Sequence, residues 1–141
     1  MTYATASDGA QLWYSIRGDH GDPIVLIAGL AVAHTAWLTV IDRFADDHRV
    51  VVFDHRGVGH SDDSFSSPWS TRDFAADVVA VLDDAEIDRA HVYGHSMGGR
   101  IAQWLAADAP ERVGALALGG TTVGGRHGVP RPTEATDALA G

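Results

Sequence analysis

The sequence has no cysteine, so disulfides, thiolate metal centres and cysteine nucleophiles are excluded from the start. Positive charge is scarce: ten Lys and Arg stand against 19 acids, for a formal net charge of −9. The arginines are scattered singly from Arg17 to Arg131 and form no basic stripe. A duplex nucleic acid or an anionic membrane surface is repelled by such a balance. Long hydrophobic runs are also missing. The longest, residues 24–33, is interrupted by Gly29 and is too short to cross a bilayer. Residues 1–10 carry no Lys or Arg and no apolar run, so they do not read as a signal peptide. These absences point to a cytoplasmic protein with neither nucleic acid nor membrane as a partner.

What is present fits one globular domain. The 141 residues are 45% hydrophobic and 21% charged, ordinary for a soluble fold. A chain of this size buries about two thirds of its unfolded surface. Asp8-Gly9, between strand-like residues 2–6 and 11–17, is a hairpin signal. Residues 24–28 form an unbroken branched apolar run, suited to a strand covered on both faces. Trp37, Val40, Ile41 and Phe44 recur at helical spacing and predict a helix over 35–46. A second buried-strand run follows at 50–53, then a loop rich in Gly, Ser and Asp over 54–70.

Ser70 or Thr71 can cap the next helix, which runs to about Ala85. Asp73 in its first turn favours the dipole, and Phe74, Val78, Val81, Leu82 and Ala85 share one face. Residues 90–93 predict a strand, 98–107 a helix stopped by Pro110, and 113–118 one more strand. Strand and helix alternate from residue 24 onward, which argues for a parallel sheet with right-handed crossovers and helices on both faces. From Thr121 the composition shifts to Gly, Pro, Thr and Ala. No strand is expected there.

One junction carries chemistry. Gly94-His95-Ser96-Met97-Gly98 joins a predicted strand to a predicted helix, the context that gives a G-x-S-x-G string its meaning as a nucleophile elbow. Glycines on either side let the chain turn sharply where larger side chains would collide. The turn lifts the Ser96 hydroxyl clear of the sheet. Main-chain amides at the helix start, that of Met97 above all, then face any oxyanion that develops.

Two further segments resemble the α/β-hydrolase family. Ile27-Ala28-Gly29-Leu30 followed by Trp37 resembles its oxyanion loop, and the resemblance makes Leu30 the second amide donor. Asp54-His55-Arg56-Gly57-Val58-Gly59-His60-Ser61 resembles its D-x-R-G-x-G-x-S loop. The likeness covers about residues 10–120 in the expected order and is closest to the esterase and enol-lactonase branch. Ala28 departs from it, since many members carry His before the oxyanion glycine. Gly57-Val58-Gly59 lacks the third glycine of a dinucleotide fingerprint and has no P-loop lysine. Asp54 and Arg56 therefore read as tying the loop to neighbouring backbone.

A serine hydroxyl needs a histidine to take its proton and a carboxylate to orient that histidine. In this family the order is Ser, acid, His. After Ser96 stand only His127 and the acids Asp108, Glu111, Glu134 and Asp137. Asp108 and Glu111 lie at the remote end of the helix, and His127 precedes Glu134. The resemblance places both missing groups on loops after later strands. His34, in the oxyanion loop, is the best internal substitute. His95 points away from the hydroxyl by alternation, while His20, His48, His55, His60 and His91 read as surface or loop residues. No metal site and no cofactor is called for.

The expected architecture is α/β: a three-layer αβα, mostly parallel sheet with an N-terminal β-hairpin, truncated relative to the full hydrolase core. Residues 1–120 read as the N-terminal half of that core, and 121–141 as the start of a lid region or a flexible tail. The expected chemistry is acyl transfer through Ser96 on small carboxylic esters or lactones, incomplete because the triad acid and His are absent. The competing expectation is a non-catalytic or assembly-dependent fragment. A sheet ending at 113–118 leaves an apolar edge, a template for self-association or a complementing chain. A small-molecule receptor on the same scaffold is a third reading and needs a complete pocket.

Overall fold

The computed structural model describes residues 2–63, 68–129 and 132–134. Six strands form one sheet in the order β1-β2-β4-β3-β5-β6. The hairpin of β1 (Thr2–Thr5) and β2 (Gln11–Arg17) is antiparallel and joins the sheet through β4. At its turn the Ala10 N–H donates to the Asp8 carboxylate. β3 (Pro23–Ile27), β4 (Arg49–Phe53), β5 (Ala90–His95) and β6 (Val113–Gly119) are parallel.

Alternation along β3 and β4 builds two cores. Val25, Ile27, Val51 and Phe53 face α2 (Thr71–Asp84) and α3 (Met97–Asp108), meeting Val78, Val81, Leu82, Ile101 and Leu105. Leu26, Val50 and Val52 face the other way, against Ile41 of α1 (Ile41–Ala45) with Trp37 and Tyr93 at the margin. A strand buried on both faces must be apolar at every position, which is why these runs show no polar alternation. Ser70 caps α2 through a reciprocal pair: its hydroxyl accepts from the Asp73 N–H, and the Asp73 side chain accepts from the Ser70 N–H.

The continuous helix expected over 35–46 is corrected by the structure. A 3₁₀ turn, His34–Trp37, is followed by a turn and then the short α1. Leu38, Val40 and Arg43 bond back to Thr35, Trp37 and Val40, the tighter i→i−3 pattern. Thr35, Thr39, Val40 and Ile41 are β-branched, which lowers helix propensity through this stretch. The apolar spacing is real, but the helix is broken.

β6 differs from the other strands. It is parallel to β5, yet Leu116 and Leu118 remain 40% and 45% exposed. Its outer edge pairs with no strand among the described residues. The expected lid or tail at 121–141 falls partly outside the described residues. The described part holds a 3₁₀ turn, Gly125–His127, and no strand. Among the described residues no helix is long and apolar enough to cross a membrane.

Candidate active site

β3 has β4 on one side and β5 on the other. The chain leaving β3 goes to the face carrying α1, and the chain leaving β5 goes to the face carrying α3. Adjacent strands whose exits diverge to opposite faces open a crevice at their carboxyl ends, where open α/β sheets bind ligands. Ile27 and Gly94 are register partners, so the segments 28–30 and 95–97 leave the sheet side by side.

Ser96 occupies the bend between β5 and α3 with φ 56° and ψ −119°. A side-chain-bearing residue there is strained by on the order of 1–3 kcal/mol. Neighbouring backbone fixes the bend: the Ser96 N–H donates to the Gly119 carbonyl at 2.9 Å, and the Thr121 hydroxyl donates to the Ser96 carbonyl at 2.7 Å. The flanking glycines are there for space. A β-carbon on Gly94 would lie 2.4 Å from the Gly98 carbonyl oxygen, and one on Gly98 would lie 2.1 Å from that of Ile27. Gly29 comes next to the serine, its β-carbon position lying 3.4 Å from Ser96 Cβ.

Leu30, Ser96 and Met97 line one cleft of about 390 Å³ with Thr71, Arg100, Gly120, Thr121 and Thr122. Ser96 is exposed in it. Met97 opens α3, so its N–H is among those left without an intrahelical acceptor. Of the cleft residues, Arg100 and the 120–122 turn escaped the sequence reading. Closeness in sequence could have found Arg100, since it stands in the first turn of the helix that Ser96 caps. Gly120 to Thr122 could not be found that way, because only the pairing of β6 with β5 brings them to the serine.

Among the described residues no histidine and no carboxylate lines the cleft. His34 does not reach it. Its Nδ1 lies 2.9 Å from the buried Asp54 carboxylate, and its ring packs at a tilt against Trp13 with centroids 4.1 Å apart. His127 lines a neighbouring pocket instead. Asp54 also accepts from the main-chain N–H groups of His34 and His60, so it ties the loop, as its sequence suggests. Arg56 ties the loop through side chains instead, to α2 and to the β1–β2 turn. It is buried, donates to both Asp77 oxygens at 2.6 Å and also pairs with Asp8. The Asp77 hydrogen bonds raise the Arg56 pKa further, and Arg56 in turn holds the Asp8 carboxyl below its usual value.

His55 lies in a loop, one of the two placements its sequence allows, but it is buried there. Only 2% of it is exposed. Its Nε2 donates to the Ala28 carbonyl at 3.1 Å, and its ring stands edge-on to Phe53 and Phe74. Burial pushes the imidazole pKa down, outweighing the hydrogen bond. His55 thereby braces the start of the 28–30 segment from beneath.

A family model for the alpha/beta hydrolase fold matches residues 22–140. The chain belongs to the α/β-hydrolase family. Among curated relatives it is 42% identical over 118 residues to a protein named as the carbamate hydrolase RutD of Azorhizobium caulinodans, covering 84% of this chain and 43% of the relative. It is 39% identical over 117 residues to the rhodomycin D methylesterase DnrP of Streptomyces peucetius, covering 79% and 39%. The enol-lactonase of Burkholderia xenovorans superposes with a TM-score of 0.80 at 31% identity, over 85% of this chain and 46% of that one. This α/β-hydrolase chain thus spans about half the length, or less, of the relatives it matches.

Proposed function

We propose that this chain supplies the nucleophile and oxyanion donors of a serine hydrolase for small carboxylic esters or lactones. One observation carries the reading: Ser96 stands at positive φ on the strand-to-helix bend, beside Gly29 and exposed in a cleft that Leu30 and Met97 also line. The Ser96 hydroxyl attacks the carbonyl carbon, and the N–H groups of Leu30 and Met97 hold the oxyanion. The alcohol then leaves, and water hydrolyses the acyl-serine to release the acid and restore the hydroxyl. The hydroxyl proton needs a base, and among the described residues none that lines the cleft is one. The relatives' names, a carbamate hydrolase, a methylesterase and an enol-lactonase, support carbonyl chemistry of this class.

The chain by itself is expected to turn over esters barely or not at all. Loss of a triad member costs up to roughly a millionfold in a serine protease, whereas oxyanion donors alone leave about 10³–10⁴ over water. The test compares wild type with Ser96→Ala on p-nitrophenyl acetate, with mass spectrometry locating any acyl adduct. A slow adduct on Ser96 is expected. Its absence, or equal rates in both proteins, sinks the nucleophile; fast serine-dependent turnover sinks the deficit.

The exposed leucines of β6 favour a second reading, an assembly-dependent fragment whose sheet and site are completed by another chain. It requires self-association or marginal stability. A monodisperse, cooperatively melting monomer in light scattering and calorimetry counts against it.

A further inference from the structure

Acids outnumber Lys and Arg by 19 to ten, yet among the described residues no acid lines the Ser96 cleft or the pocket beside it. Arg100 borders both, and Arg126 and His127 line the second. The positive end of α3 points to the same place, since Ser96 is its N-cap. This is an electropositive hollow in an acidic molecule.

Arg100 also differs from the arginines that hold the fold together. Arg56 is neutralised by Asp77 and Asp8, Arg72 by Asp108 and Arg112 by Asp83. Arg100 has no carboxylate partner among the described residues. It donates one hydrogen bond, from Nη2 to the Thr122 hydroxyl at 3.2 Å. Its guanidinium rests on Gly124, where a β-carbon would lie 3.2 Å from Cζ. The group is thus placed but not neutralised. Arg100 stands in the first turn of α3, directly after Ser96, and lines the serine's cleft. A planar guanidinium fork with unused N–H groups matches a carboxylate in geometry and charge.

We propose that Arg100 binds a second, unreacting carboxylate of the substrate, so that the site selects short half-esters of dicarboxylic acids or lactones bearing a free carboxylate. The proposal rests on Ser96 as nucleophile and names the substrate class for it. Substrate enters with its ester carbonyl at Ser96 and its carboxylate at Arg100, which orients the carbonyl toward the Leu30 and Met97 amides. A neutral ester of equal size lacks this second anchor.

The test measures binding to the full chain by NMR titration at low ionic strength, with two isosteric probes. Monomethyl glutarate carries the carboxylate; methyl 5-oxohexanoate has a methyl ketone in its place. The anionic probe is expected to bind about tenfold tighter, the range of a charge-assisted hydrogen bond. Arg100→Gln should abolish the preference, Arg100→Lys should restore part of it, and Ser96→Ala should retain it. Equal binding of both probes, or a preference that survives Arg100→Gln, overturns the proposal. The acyl-adduct experiment separates the two readings. An adduct on Ser96 with no charge preference removes only the role of Arg100. An Arg100-dependent preference with no adduct removes the nucleophile and supports the anion site.

Discussion

β3 and β6 are parallel strands of one sheet with only β5 between them, and both are apolar, yet their surroundings are opposite. Val25, Leu26 and Ile27 are fully buried between two helical layers, whereas Leu116 and Leu118 stand partly in water. The closed side also holds the buried Arg56–Asp77 pair and His55; the open side holds Ser96 and Arg100, both exposed. Hydrophobicity therefore says what a strand is able to bury, while the cover comes from elements elsewhere. Stability in this chain is concentrated away from the proposed site.

Mutations can break or sharpen that contrast. The largest effect is expected on the closed side. Arg56→Ala leaves the Asp77 carboxylate buried and unpaired, a loss of about 3–5 kcal/mol, while replacing both partners with apolar residues costs less. Urea denaturation of the single and double variants checks the order. Leu26→Ala removes a fully buried side chain and is expected to cost about 2–5 kcal/mol by the same measurement.

A pH-dependent effect comes next. The His55 pKa is lower in the folded chain than its ordinary value of 6.5. The unfolded chain therefore binds a proton that the folded chain refuses. Stability should be level above pH 6.5 and fall below it by up to about 1.4 kcal/mol per pH unit. Asp8 and Asp73, whose pKa values are lowered from 3.8, lose their contributions only at more acidic pH. His20 is raised and acts with the opposite sign, its stabilisation being lost on alkalinisation. Melting curves between pH 8 and 5 should therefore flatten in His55→Gln; an unchanged slope would place His55 in water.

The smallest effect belongs to the open side. Leu116→Ala should change stability by no more than about 0.5 kcal/mol, as for a surface site. A loss matching that of Leu26→Ala, growing with protein concentration, would mean that β6 is covered by another copy in solution.

Legibility follows the same division. The strands at 24–28 and 50–53, the Asp8-Gly9 hairpin and the Ser96 bend were readable, and the cap of α2 was narrowed to Ser70 or Thr71, because each is fixed by a few consecutive residues. The break within 35–46 was not, since apolar spacing is preserved through a 3₁₀ turn. Neither was the burial of His55. Its partners, Ala28 and Phe74, are distant in sequence, and a polar loop composition suggests solvent. Arg100 and the 120–122 turn enter the site through α3 and the β5–β6 pairing, which spacing along one element only half reveals.

The strained serine is anchored through both of its main-chain polar groups to the exit of β6, by Gly119 and by Thr121. The least protected strand of the sheet is therefore also the mooring of its most demanding backbone angle. Any neighbour that docked along that free edge would stiffen or displace the mooring, and the reactivity of the hydroxyl would register its arrival.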